Sequence, residues 1–199
     1  MPSSEAAGRR LILASTSRYR RELLERLRVP FEVAAPVFDE TPLPGESPAA
    51  TALRLSVGKA RSLVPSFGGA LIIGADQVAS SAAGRLGKPG DHATALKQLR
   101  ALSGKSAQFD TAVTLLDAAS GKHESHVAPC RVTFRPLNEE MIERYLRKEQ
   151  PYDCAGSAKA EGLGIALIER IETDDPTSLI GLPLIALSAM LGRAGMPVL

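Results

Sequence analysis

The stretch Leu11-Ile12-Leu13-Ala14-Ser15-Thr16-Ser17 decides how the rest of the chain is read. Its first four residues are wholly apolar, as in a short strand buried on both faces. Three hydroxyl residues follow. After them comes a helical segment, 18–27, in which Leu23, Leu24 and Leu27 share an inner stripe and the arginines face out. A strand that passes through a polar turn into a helix is a building unit of α/β proteins. Phe31–Ala35 reads as a second strand. A proline-rich loop, 36–48, carries Asp39-Glu40, and Ser47-Pro48 reads as an N-cap with proline at the first helical position. That helix runs to about Val64, with Leu53, Val57, Ala60 and Val64 expected on its buried side. Ala70–Ala75 is a further buried strand, expected to end at Asp76-Gln77.

Beyond it, a loop over 84–90 holds Gly87-Lys88-Pro89, and 91–101 reads as a helix. Phe109–Leu116 and Glu124–Phe134 read as two strands joined through Ala118-Ala119-Ser120-Gly121, a hairpin signal. A helix over 138–148, a strand over 165–171 and a last apolar helix over 182–192 complete the pattern. Helices alternate with strands and one strand pair is antiparallel. The expectation is therefore an α/β protein with a mixed sheet and flanking helices. Residues 1–8 read as a loose leader and 9–199 as a single domain.

Composition narrows the function. The 199 residues are 44% hydrophobic and 23% charged with net charge +2, so nothing calls for nucleic acid or a membrane surface. Tryptophan is absent and aromatics are 4%, which leaves no stacking platform for single strands. Cys130 and Cys154 form neither a metal-spaced cluster nor a disulfide framework. His92, His123 and His126 make no metal pattern and are expected at the surface. The N-terminus lacks the apolar core of a signal peptide, and no run approaches a membrane span. The expected location is the cytoplasm, with both thiols reduced.

Four polar places fall at the ends of apolar strands: Ser15-Thr16-Ser17, Asp39-Glu40, Asp76-Gln77 and 156–164. Ligand sites of open α/β sheets sit at strand ends. Carboxylates at Glu40 and Asp76 could hold a hard divalent cation. Lys59, Lys88 and Lys159, with a serine-bearing helix N-terminus, suit a polyphosphate. Each residue also has a plainer reading. Ser17 can simply cap its helix, a helix lysine such as Lys59 is ordinarily solvated, Glu40 is an ordinary loop acid, and Asp76 can be a strand-end turn residue. No Walker A motif is present, which excludes the P-loop hydrolases.

The segment Gln150–Gly164 has no apolar period of 2 or 3.6, yet it holds three glycines, Lys159, Asp153 and Glu161. Such a segment is a site more often than a scaffold. Glu161 could accept two hydrogen bonds from a flat donor edge, such as a purine's N–H groups. The alternative is a charged surface loop.

Taken in order, Leu13-Ala14-Ser15-Thr16-Ser17, Arg20, Phe38-Asp39-Glu40, Lys59-Ala60, Gly74-Ala75-Asp76, Gly87-Lys88-Pro89, Leu102-Ser103-Gly104 and 151–164 resemble the Maf-like nucleoside triphosphate pyrophosphatases. The resemblance spans about Leu11 to Leu187. It implies two lobes around a central cleft, an architecture shared with inosine triphosphate pyrophosphatases. It also implies cleavage between the α and β phosphates with a divalent cation (Mg²⁺, Mn²⁺ or Co²⁺), and it is compatible with a homodimer. On this resemblance Asp76 is the catalytic acid/base, Glu40 lies near the metal with it, Lys59 and Lys88 are cleft lysines, and Ser15 and Arg20 face the phosphates.

One branch of the family acts on dTTP and UTP and carries Arg, Thr and Gln at the positions of Tyr19, Gln77 and Glu161. The other acts on 7-methyl-GTP and carries an aromatic residue, Gln and Glu. This chain matches the second. A methylated guanine is cationic over its ring, so an aromatic face attracts it by roughly 0.5–2 kcal/mol. The chain departs from the family at Arg18, where proline is usual, and at Tyr19, where this branch usually has tryptophan. Ala107 stands near a histidine of the pyrimidine branch. Two rival readings remain: the same chemistry on dTTP and UTP, or a nucleotide-binding regulator of septum formation.

Overall fold

The computed structural model describes residues 8–199; apart from Gly8, the expected leader lies outside the described residues. The strands are β1 (Leu11–Ala14), β2 (Glu32–Ala34), β3 (Leu71–Ser81), β4 (Gly84–Leu86), β5 (Ser106–Asp117), β6 (His123–Phe134) and β7 (Ile168–Glu172). The helices are α1 (Arg18–Glu25), α2 (Pro48–Ser62), α3 (His92–Leu102), α4 (Glu139–Glu149) and α5 (Leu184–Arg193). The strands form one seven-stranded mixed sheet in the order β2-β1-β3-β5-β6-β7, with β4 paired to β3. β1 runs parallel to β2 and β3; β4 is antiparallel to β3 and β7 to β6. This is the mixed α/β architecture expected.

The chain divides into two compact units. The first takes the described residues up to Gln77, Thr111–Ala128 and Asp175–Leu199; the second takes Val78–Asp110 and Pro129–Asp174. In the first unit, alternate residues of β1 and β3 serve two cores. Leu11, Leu13, Leu71, Ile73 and Ala75 join Leu23 and Leu24 of α1 and Leu187 and Met190 of α5. Ile12, Ala14 and Ile72 join Ala60 and Leu63. Both faces are covered, which is why these strands are apolar at every position. In the second unit, Phe109, Val132 and Phe134 are buried, as are Leu99 and Leu102 of α3 and Ile142 and Leu146 of α4. The α3 and α4 helices pack on each other.

Three expectations need correction. First, β3 does not end at Asp76-Gln77 but continues to Ser81, because its second half pairs with β4 around a turn at Ala82-Ala83. That turn lacks the Asn-Gly or Asp-Gly signature that would announce a hairpin. Second, the buried stripe of α2 is Ala52, Leu55, Ser56, Lys59 and Ala60; Leu53 is exposed, and Val57 and Val64 are only half-buried. The inner face carries polar side chains, so an apolar periodicity points about one residue away from it. Third, 165–171 is not all strand: a 3₁₀ turn, Leu163–Leu167, precedes β7.

Candidate functional site

The first unit holds seven of the ten expected residues and brings Glu40 and Asp76 together on Lys59. Gly74 makes this possible. A Cβ there would lie 2.0 Å from the Ser56 carbonyl oxygen, so only glycine lets α2 press its backbone onto β3. Ser56 is held in turn by Thr114, with the hydroxyls 2.8 Å apart. One turn further along, Lys59 is 5% exposed and donates to Asp76 Oδ1 at 2.6 Å. The solvated-lysine reading is therefore wrong for Lys59. Asp76, 7% exposed, lies in the interior of β3 and is no turn residue.

Glu40 reaches the same ammonium from an exposed loop, with Oε1 3.1 Å from Lys59 Nζ. The loop is long and proline-rich, but its course is set. The Phe38 ring lies where a Cβ of Gly58 would be, 2.3 Å away at its nearest atom. Asp39 folds back onto the Thr41 N–H and hydroxyl. Arg54 donates to Glu46 and to the Thr41 carbonyl. Glu46 also accepts from Thr51 and the Leu43 N–H, and Arg54 above all holds its carboxyl down to about 2.

Arg20 donates to the Gly181 carbonyl at 2.9 Å, and Gly181 has φ 123°, a conformation that suits glycine. Burial lowers the Arg20 guanidinium, and the charges of Asp76 and Glu40 oppose that shift. Arg20 thus lies in the field of the same two carboxylates. Ser15 is buried at the end of β1 and its Oγ accepts from the Ser17 N–H at 3.1 Å; Ser17 caps α1. Gln77 donates through Nε2 to Thr111 Oγ1 and to the Ser178 and Leu179 carbonyls at 2.9–3.0 Å. Carbonyls only accept, so the amide NH₂ is fixed toward them and the amide oxygen is turned away. Tyr19 is half-buried, and the guanidinium of Arg18 lies 4.7 Å from its ring centroid, with a hydrogen bond to the phenol oxygen.

The second unit holds Lys88, Lys159 and Glu161. Lys88 is exposed, on the loop that leaves β4. Lys159 is half-buried and donates to Glu149 Oε1 at 2.7 Å. Glu161 is exposed, and desolvation by the surrounding chain raises its carboxyl above the ordinary range, with Lys159 opposing and Glu149 and Asp153 reinforcing the shift.

Several residues around these were not anticipated. Gln98 accepts from Ser157 Oγ at 2.6 Å and donates to the Gly87 carbonyl at 3.1 Å. The Tyr145 hydroxyl accepts from the Lys159 N–H. His92, expected as a plain surface residue, bridges Tyr152 at 3.0 Å and Glu143 at 3.2 Å; His123 and His126 are exposed as expected. None of these contacts has a sequence signal, because each partner lies on a separate element.

Among the described residues no group of three or more His, Cys, Asp or Glu is placed to hold a metal, and no helix is long and apolar enough to cross a membrane. Cys130 and Cys154 are not joined in a disulfide, and burial pushes the Cys130 thiol up to about 11.

Comparison with known proteins finds relatives along nearly the whole chain. The family model described as Maf-like protein matches residues 10–194. A 7-methyl-GTP pyrophosphatase of Thiobacillus denitrificans is 59% identical over 189 residues, covering 95% of this chain and 94% of its own length. A Burkholderia pseudomallei protein of the same name is 58% identical over 192 residues, covering 95% and 89%. One from Ralstonia nicotianae is 55% identical over 188 residues, covering 94% and 97%. A family match over nearly every described residue, with relatives of this identity aligned end to end, leaves one assignment: the chain belongs to the Maf-like protein family.

Proposed function

We propose that the protein hydrolyses 7-methyl-GTP to 7-methyl-GMP and pyrophosphate. The observation that carries this reading is the convergence of Glu40 and Asp76 on one buried ammonium, with Arg20 in the field of both. Two carboxylates within 3.1 Å of a single point can share a hard divalent cation. Among the described residues there is no third acidic or imidazole ligand there, so the remaining ligands would be triphosphate oxygens and water, as is usual for Mg²⁺. Glu40 and Asp76 would hold the cation; when bound it supplies Lewis-acid polarisation of the phosphoryl oxygens.

The rest of the chemistry falls to the side chains. Asp76 orients water toward the α-phosphorus and accepts its proton. Lys59 holds the Asp76 carboxylate in place through their hydrogen bond and, with Arg20 and Lys88, neutralises charge that develops on the leaving pyrophosphate. The Ser15 hydroxyl accepts the Ser17 N–H at one of its two lone pairs, and its own proton would be donated to a phosphate oxygen. For the base, Tyr19 supplies an aromatic face, Gln77 the amide oxygen that its fixed NH₂ turns outward, and Glu161 a carboxylate for the guanine N–H edge. The names of the relatives support the choice of 7-methyl-GTP over dTTP and UTP.

The test is a panel of 7-methyl-GTP, GTP, dTTP, UTP, CTP and ATP with Mg²⁺, Mn²⁺ or Co²⁺, read as pyrophosphate and monophosphate. Pyrophosphate from 7-methyl-GTP well above the others is expected. A preference for dTTP and UTP would overturn the base assignment, and nucleotide binding without any turnover would overturn the enzyme.

A further inference from the structure

The segment 155–164 carries Lys159 and Glu161 but has almost no regular structure, only a 3₁₀ turn at Ala155–Ser157 and the start of another at Leu163. Its shape must be set by something other than a backbone ladder. The strongest constraint comes from one residue at the end of α4. Glu149 accepts from Lys159 Nζ through Oε1 and from the Leu163 N–H through Oε2, both at 2.7 Å. One carboxylate thus ties the two flanks of Glu161 together. The fit is close: a Cβ at Gly162 would lie 2.8 Å from Glu149 Oε2, and one at Gly164 would lie 2.5 Å from the Lys159 carbonyl oxygen. One helical turn earlier, Tyr145 accepts the Lys159 N–H at 3.1 Å. Lys159 and the Leu163 N–H together hold the Glu149 carboxyl below its ordinary range.

We infer that Glu149 is a positioning residue for base selection, and that Lys159 serves as its counter-ion in the loop and does not act on the polyphosphate. The clamp holds the turn 159–164 in the one shape that presents the Glu161 carboxylate. This inference rests on the reading of Glu161 as the residue that meets the guanine edge. A carboxylate that recognises two N–H groups must be placed to a fraction of an ångström, which an unclamped glycine-rich turn does not supply.

Two variants test it. Glu149→Ala removes both acceptors; Lys159→Met removes the ion pair and keeps the Leu163 hydrogen bond. In each, kcat and KM are measured for 7-methyl-GTP, GTP and UTP, and hydrogen exchange is followed at the Leu163 amide. In Glu149→Ala the kcat/KM ratios of 7-methyl-GTP and of GTP to UTP both fall about tenfold, through KM, because the two guanines share the N–H edge, while UTP turnover stays within about twofold. Lys159→Met moves both ratios in the same direction by less, and exchange at Leu163 accelerates in Glu149→Ala. A uniform loss across nucleotides in Lys159→Met, with the ratios unchanged, overturns the inference and returns Lys159 to the phosphates. If the wild-type protein shows no preference for guanine nucleotides over UTP, it is the role of Glu161 that fails. The clamp is then judged by exchange alone, and unchanged protection of Leu163 in Glu149→Ala overturns it.

Discussion

In the first unit, Lys59 projects from the last turn of a helix and Asp76 from the interior of an eleven-residue strand, and both are buried. In the second, Lys159 and Glu161 stand on a segment whose only ladders are short 3₁₀ turns, and Glu161 is exposed. The first arrangement gains its precision from repeated backbone hydrogen bonds and from the contact of Gly74 with α2. The second gains it from individual side chains: Glu149, Tyr145 and Gln98. Charge handling shared by every nucleotide suits the rigid setting, whereas recognition of one base suits a loop that a few substitutions can reshape.

The comparison is broken most directly at Asp76. Asp76→Asn is expected to lower kcat by about 10³-fold for 7-methyl-GTP, GTP and dTTP alike, because it removes the proton acceptor and not a base contact. Pyrophosphate release under saturating nucleotide measures this. A loss confined to one nucleotide would contradict the division of labour.

Gly74→Ala comes next. The new methyl group meets a main-chain oxygen, which cannot rotate away, so α2 must shift. A cost of about 1–3 kcal/mol is expected, seen as a lower urea midpoint. Residual activity should fall equally on all substrates, since Lys59 moves with the helix.

A smaller effect sharpens the other side. The Glu161 carboxyl takes its proton at a higher pH than an ordinary carboxylate, and the protonated form has lost an acceptor. As pH is lowered, selectivity for 7-methyl-GTP over UTP should therefore begin to decline above the ordinary carboxylate range. Glu161→Gln should flatten that profile. A ratio independent of pH in the wild-type protein would remove Glu161 from base recognition.

The smallest effect is expected at Arg18. Its guanidinium covers the ring of Tyr19, the face that a methylated guanine would use. Arg18→Ala should tighten KM for 7-methyl-GTP by about two- to fivefold, the worth of a cation–π contact of ~0.5–1 kcal/mol, with little change for dTTP. A weaker KM would mean that Arg18 itself contacts the nucleotide.

Much of this was legible in the residues, and the gaps have physical causes. The apolar runs located β1 and β3, and N-caps at Ser47, Asp91 and Asn138 agree with the expected starts of α2, α3 and α4 to within about one residue. The chemistry at Lys59 was legible as a candidate, but its burial was not. The inner face of α2 carries Ser56 and Lys59, and an apolar stripe cannot reveal a face made of partnered polar groups. The extension of β3 was hidden because Ala82-Ala83 carries no turn signal. Glu149, Tyr145 and Gln98 match no motif in the sequence; only their partners, on other elements, give them meaning.

Gln98 carries a further consequence. Its single amide receives the Ser157 hydroxyl on one side and grips the Gly87 carbonyl on the other, and the Gly156 N–H also reaches that carbonyl at 3.4 Å. The turn that precedes Lys88 and the turn that leads to Glu161 therefore share their thermal motion. Disorder admitted to one is admitted to the other. A lineage that altered the base preference by rebuilding 155–164 would also disturb the lysine at 88, unless Gln98 changed at the same time.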